Sequence, residues 1–149
     1  MMSVLRSEEA AIDGLKIRVL LIDDELEEVQ GLLRMLGDAE DLALSVITNS
    51  DEVLTHARRS KPDVILQSLS MEGSGGFDLL QRFRRTRGLA QVPVIVLGSR
   101  EDASIKAQAF REGADDYLIK MPDPVELLAR IRHHAERRCG AVEQQKAYE

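Results

Sequence analysis

Asp23 and Asp24 close one apolar run, Lys120 closes another, and a third run, Val64-Ile65-Leu66-Gln67, opens onto Ser68. An acidic pair, a third acid and a lysine at the ends of parallel strands would form a cation-assisted pocket for accepting a phosphoryl group. Here the third position holds a serine. A carboxylate attacks phosphorus already ionised, and the acyl phosphate it forms is labile enough for a reversible switch. A serine hydroxyl is un-ionised at neutral pH and needs a general base before it becomes a nucleophile. Its oxygen also lies one bond nearer the backbone, roughly 1.5 Å short of where a carboxylate oxygen reaches. His56, His133 and His134 fall in helical stretches and are expected on exposed faces, away from Ser68.

Two adjacent acids at a strand end repel unless a cation or lysine compensates them. Such a pair suits Mg²⁺, which prefers oxygen ligands and retains water. The same dipeptide also serves as a helix cap with an acidic neighbour, and taken alone it supports both readings. Lys120 favours a site, because an ammonium there neutralises the acids or a bound phosphate. By itself it would be a surface lysine at the end of a strand.

The elements that must position these residues follow from hydrophobic periodicity. Ile17–Ile22 is a strand buried on both faces. Leu26, Val29, Leu32, Leu33 and Leu36 recur at helical spacing up to Gly37, with Asp23 or Asp24 as cap. Leu42–Ile47 is the second strand, followed by a helix over Asp51–Ser60 behind the turn Thr48-Asn49-Ser50. Asp63–Gln67 is the third strand, and Gly73, Gly75 and Gly76 form a loop before the helix Phe77–Arg87. Val94–Leu97 leads to the helix Glu101–Glu112, and Asp116–Lys120 is the fifth strand. The last helix opens at Pro122-Asp123-Pro124, with Val125, Leu128, Ile131 and Ala135 as its apolar stripe.

Five strands alternating with five helices predict an α/β fold: a flavodoxin-like (βα)5 doubly wound parallel sheet of strand order 2-1-3-4-5. Ligands of such sheets bind beyond the carboxyl ends of the strands, at the switch point between strands 1 and 3. Asp23, Asp24 and Ser68 fall there. Residues 1–15 read as an N-terminal extension, 16–138 as the domain, and 139–149 as the start of a linker helix toward a further domain.

Charge is uneven: residues 1–60 hold 13 acids against 6 bases, and residues 61–149 hold 13 against 14. The later bases cluster in Arg82-Arg84-Arg85-Arg87 and Arg130-Arg132-Arg137-Arg138. With a pI near 5.2 and 3% aromatics, these runs read as solvated helix faces rather than a nucleic-acid surface. No apolar run approaches the ~20 residues of a membrane span. The first residues lack the apolar centre of a signal peptide, so a cytoplasmic location is expected. The lone Cys139 cannot form an internal disulfide and is expected to be inert.

Several segments in order resemble the receiver domain of bacterial two-component response regulators over about residues 16–138. They are Val19-Leu20-Leu21-Ile22-Asp23-Asp24-Glu25, Lys61-Pro62-Asp63-Val64-Ile65-Leu66, Gly76-Phe77-Asp78-Leu79-Leu80, Val92-Pro93-Val94-Ile95-Val96-Leu97 and Gly113-Ala114-Asp115-Asp116-Tyr117-Leu118-Ile119-Lys120. The resemblance implies that Asp23 and Asp24 match a Mg²⁺-binding pair and Lys120 a lysine that contacts the acyl phosphate. Tyr117 matches an aromatic that turns between inward and outward positions on activation. Ser68 stands where the family keeps the acceptor aspartate, and Gly98 where it keeps a threonine or serine that senses the phosphoryl group. Ser99, one residue late, could replace that hydroxyl only if the strand bulged. Glu72 replaces a common proline, Gly75 a common acid, and Met121 separates Lys120 from Pro122.

Together these departures imply a pseudo-receiver, not an enzyme, with Mg²⁺ bound weakly or lost. It would act as an interaction or dimerisation module without aspartyl phosphorylation. The family contact surface would be Glu101–Glu112, Asp116–Lys120 and Asp123–Arg138, used toward the protein's own output domain, a partner protein or a second copy. The segments Lys120-Met121-Pro122-Asp123, Ile131-Arg132-His133-His134 and Gln144-Gln145-Lys146-Ala147-Tyr148 are similar to those of receivers preceding a GGDEF diguanylate cyclase domain. Two alternatives are a Mg²⁺-dependent receiver that uses another acceptor, and a flavodoxin-fold enzyme. The latter lacks a nucleophile–base pair or a Gly-x-Ser-x-Gly elbow.

Overall fold

Successive residues of each central strand alternate between two apolar layers, which is why these runs are apolar on both faces. The computed structural model describes residues 4–6, 16–69 and 77–147, with side chains over 16–69 and 77–138. In chain order the elements are β1 (Val4–Arg6), β2 (Ile17–Ile22), α1 (Leu26–Leu36), β3 (Leu42–Ile47), α2 (Val53–Ser60), β4 (Val64–Ser68), α3 (Phe77–Arg85), β5 (Val94–Gly98), α4 (Ala103–Arg111), β6 (Asp116–Ile119) and α5 (Pro124–Ala147). Val19 and Leu21 of β2 pack with Val29, Leu32 and Leu36 of α1 and with Leu127 and Ile131 of α5. Leu20 and Ile22 face the other way, onto Val53 and Ala57 of α2, Leu80 and Phe83 of α3, and Ala109 of α4.

The parallel strands run β3-β2-β4-β5-β6, the expected order 2-1-3-4-5. The structure adds β1, which lies antiparallel on the outer edge of β3 with Val4 opposite Ile47 and Arg6 opposite Ser45. The sequence reading assigned those residues to an N-terminal extension and named no strand there, because Val4-Leu5 is too short a run to register as one. Pairing there covers backbone donors and acceptors that β3 would otherwise expose at the sheet edge.

Caps move several boundaries. Asp102 accepts from the amides of Ser104 (2.8 Å) and Ile105 (3.3 Å), so α4 starts at Ala103 rather than Glu101. Asn49 accepts from the Asp51 amide, and a 3-10 turn over Ser50–Glu52 precedes α2. Asp123 takes the amides of Val125 and Glu126 at the start of α5. That sets the helix phase so that Leu127, Ile131 and Ala135 face the sheet, while Val125 is 78% exposed and Leu128 packs only at the margin. The expected stripe was therefore wrong at Val125, held at Ile131 and Ala135 and at the margin for Leu128, and missed the fully buried Leu127. The glycine loop at 73–76, Glu72 and the side chain of Cys139 lie outside the described residues.

Candidate functional site

Register brings the chemistry-bearing residues together. Ile22 pairs with Gln67 and Ser68 with Leu97, so Asp23 and Ser68 stand side by side at the carboxyl ends of β2 and β4. Gly98 pairs with Ile119, and the Lys120 amide donates to the Gly98 carbonyl at 2.8 Å, placing Lys120 across the same crevice. Asp23 and Ser68 are each 1% exposed, whereas Asp24 faces solvent. Asp23 accepts from the Glu25 amide at 3.0 Å in the turn before α1, but Glu25 is the N-cap and no side chain caps the helix, so the expected cap by Asp23 or Asp24 is not formed. The pair that looked equivalent in sequence is thus split into a buried acid and an exposed one.

Lys120 is the centre of the site. Its Nζ donates to the Ser68 hydroxyl and to Glu28, and lies 3.4 Å from Asp23 Oδ2. Glu28 went unrecognised in the sequence, although a signal was there. It lies four residues before the buried Leu32 and beside the buried Val29, at the inward edge of α1. Burial pushes the Asp23 carboxyl up to about 6, helped by its hydrogen bond to Glu28 and opposed by the Glu25 amide and Lys120. Burial also raises the Glu28 carboxyl, but its bonds to Lys120 and Asp23 outweigh this and hold it below the usual carboxylate range.

Gly98 and Tyr117, the positions expected from the resemblance to act as a switch, fill one space between them. Tyr117 is buried, and its hydroxyl donates to the Arg100 carbonyl at 3.1 Å. A Cβ added to Gly98 would lie 1.9 Å from that phenol oxygen. Ser99 is exposed beyond an unbroken β5, so it does not take over the position of the missing hydroxyl. The Lys120–Met121 peptide is cis, and Met121 lies across α1, where a Cβ at Gly31 would meet its Cε at 2.7 Å.

One expectation fails outright. His134 is buried, with Nε2 3.0 Å from Asp116 Oδ2, while Arg130 donates to both oxygens of the same carboxylate. This cluster sits on β6 and α5, separate from Lys120. The spacing His134–Ile131–Leu127 put the imidazole on the buried stripe; assigning the histidine to a solvated face overlooked this.

The residues present do not fit a firmly held Mg²⁺. The ion needs several oxygen ligands in octahedral geometry. Here the buried carboxylate already faces an ammonium, the third acid is a serine bonded to that ammonium, and Asp24 is exposed to solvent. Among the described residues no group of three His, Cys, Asp or Glu side chains is arranged to hold a metal. The ammonium of Lys120 supplies the positive charge.

The arrangement is that of a signalling receiver: a doubly wound sheet with an acid and a lysine meeting at its switch point. The family model described as response regulator receiver domain matches residues 19–132, and the chain belongs to that family. Its relatives are regulators, and the chain is a regulatory domain rather than an enzyme. It is 32% identical over 127 residues to the DNA-binding response regulator MtrA of Mycobacterium tuberculosis, covering 85% of this chain and 54% of MtrA. Against the transcriptional regulatory protein ResD of Bacillus subtilis it is 30% identical over 115 residues, 77% of this chain and 46% of ResD. The chain spans about half the length of these relatives. Among solved structures it resembles the BeF3-activated N-terminal receiver domain of Klebsiella pneumoniae RstA, with TM-score 0.71 and 27% identity over 79% of this chain and 97% of that one. It is similar to the receiver domain of Francisella response regulator 1452 at TM-score 0.73 and 25% identity, covering 82% and 98%. No helix among the described residues is long and apolar enough to cross a membrane.

Proposed function

We propose that this chain is a pseudo-receiver: a receiver domain that regulates by contact, without phosphorylation of an aspartate. The observation that carries the reading is the state of Ser68. At the strand end next to Asp23, where the family fold presents its acceptor, there is a hydroxyl already bonded to Lys120. The Lys120 ammonium that donates to this hydroxyl cannot serve as the base that removes its proton, and Glu28 holds the same ammonium from the other side. With Lys120 engaged in this way and Gly98 carrying no hydroxyl, both the acceptor and the sensor of a phosphoryl switch are lacking.

The contact surface in this reading is α4, β6 and α5, used toward an output domain, a partner protein or a second copy. The helical run of α5 to Ala147 supports a continuation into a further domain, and a GGDEF diguanylate cyclase is the output domain we favour from the sequence around Lys120 and Gln144. Intact mass after incubation with acetyl phosphate and Mg²⁺ tests the central claim. An unchanged mass is expected. A stoichiometric, base-labile gain of one phosphoryl group on any carboxylate would refute it.

A further inference from the structure

The two arginine runs that read as solvated faces are not alike in the fold. Arg82 pairs with Asp78, Arg84 with Asp115, Arg130 with Asp116 and Arg132 with Asp41. Arg85 and Arg137 have no such partner among the described residues, and neither do Arg87 and Arg138, one from each run. Arg87 and Arg138 converge instead with Arg58 and Lys61 around one cavity of about 330 Å³. Among the described residues its remaining lining is Ala57, Pro62 and Gly88, with neither an acid nor an aromatic ring. Lys61 and Pro62 precede β4 and Arg87 and Gly88 precede β5, so the cavity lies under the amino ends of the strands, opposite Asp23 and Ser68.

Helix dipoles account for part of this charge. Arg58 and Lys61 close α2, and Arg87 follows α3, where cations complement the negative helix end. Two such ends together amount to about one elementary charge, against four cations, so a positive surplus remains. Asp63, the nearest acid in sequence, is not among the described residues that line the cavity.

We infer that this cavity is an anion site for a compact ligand bearing two or more phosphate groups. Three guanidinium forks converging from different elements suit phosphate oxygens, which they grip in pairs. The described lining supplies cations and no aromatic ring to stack a base, so the recognition it offers is of phosphates. The volume is within the range of small-ligand pockets. Because Arg138 belongs to α5 and the other cations to the sheet's underside, a bound ligand would tie α5 to the body of the domain. The site is independent of the Lys120 crevice and of the pseudo-receiver reading.

Calorimetric titration of pyrophosphate into the chain at about 0.05 M salt, where charge is less screened, tests this. Saturable one-to-one binding is expected, weakened about tenfold by Arg87→Ala and by Arg138→Ala and unchanged by Arg111→Ala, a cation outside the cavity. ADP is expected to match pyrophosphate within a few-fold. Non-saturable binding, or an equal loss in Arg111→Ala, would overturn the site. A single-stranded oligonucleotide binding more tightly than pyrophosphate, with loss in the same variants, would assign the cavity to a nucleic-acid backbone and overturn the compact-ligand class.

Discussion

The Tyr117 phenol occupies the space in which a side chain at position 98 would begin, with its oxygen 1.9 Å from the position of an added Cβ. Gly98 is therefore what allows Tyr117 to lie inward. The missing sensor hydroxyl and the inward tyrosine are one structural fact. The ring is further held by the Arg100 carbonyl and by Lys106, whose Nζ lies 5.9 Å from the ring centroid.

Gly98→Thr should drive Tyr117 outward and cost about 1–3 kcal/mol, from overpacking and the lost hydrogen bond. Urea unfolding of the single variants and of Gly98→Thr combined with Tyr117→Ala forms a double-mutant cycle. The threonine should cost much less once the tyrosine is gone. Equal costs in the two backgrounds would mean that the phenol does not fill that space.

Lys120 compensates a buried acid, Asp23, and a partly buried one, Glu28, and removing it leaves them facing each other. Lys120→Met should destabilise the domain by about 3–5 kcal/mol, the cost of breaking a buried ion pair. Glu28→Gln should cost less, because Asp23 and Ser68 still hold the ammonium. Combining the two should cost less than the sum, since one of the stranded charges is then absent. Additive losses would show that Glu28 and Lys120 act independently.

Ser68→Asp returns a third carboxylate to the crevice beside Asp23. It competes with Glu28 for Lys120 and crowds like charges, so the metal-free variant should be less stable than the parent. In exchange, Mg²⁺ affinity should rise by at least about tenfold, as a third oxygen ligand joins the set. Calorimetric titration with Mg²⁺ decides: equal affinities in parent and variant would remove Ser68 from the metal crevice.

Most of this was legible because the strands are unbroken apolar runs, so Val19–Ile22, Val64–Leu66 and Val94–Leu97 declare both their type and their carboxyl ends. The site residues at those ends came with them. Glu28 and His134 were harder, since each is a polar residue at a helix position whose neighbours one turn away are apolar. Their burial depends on partners far along the chain, Lys120 and Asp116, which periodicity alone does not pair. Val125 failed for a different reason: the Asp123 cap fixes the phase of α5, and an apolar residue in a first turn need not face the core.

Asp116 gives the pH dependence. Burial pushes its carboxyl up, but His134, the Tyr117 amide and Arg130 outweigh this and hold it below the usual carboxylate range. A depressed folded-state value means the unfolded chain binds the proton first on acidification. The contribution is therefore complete above the ordinary value, near 3.8, and lost as pH falls through the lower folded value. Asp116→Asn should cost about 1–3 kcal/mol at neutral pH, and the gap from the parent should close in strong acid. A pH-independent gap in chemical unfolding would show that the charge of Asp116 contributes nothing.

Association should not respond to phosphate mimics. In α4 and α5, Phe110 is 49% exposed and Val125 78% exposed, which offers limited apolar area for contact with a second copy. Arg130 is held within its own chain by Asp116 and Glu126, so that ion pair is satisfied without a partner. Beyond Arg138 the sequence adds only Val142 and Tyr148 as large apolar residues that could drive helix pairing. The chain alone should therefore sediment as a monomer or a weak dimer, unchanged by beryllofluoride with Mg²⁺. Phe110→Glu should reduce any dimer present, because it replaces an exposed apolar side chain of α4 with a charge. A monomer-to-dimer shift produced by beryllofluoride would mean that the crevice around Ser68 still switches, and the pseudo-receiver reading would fail with it.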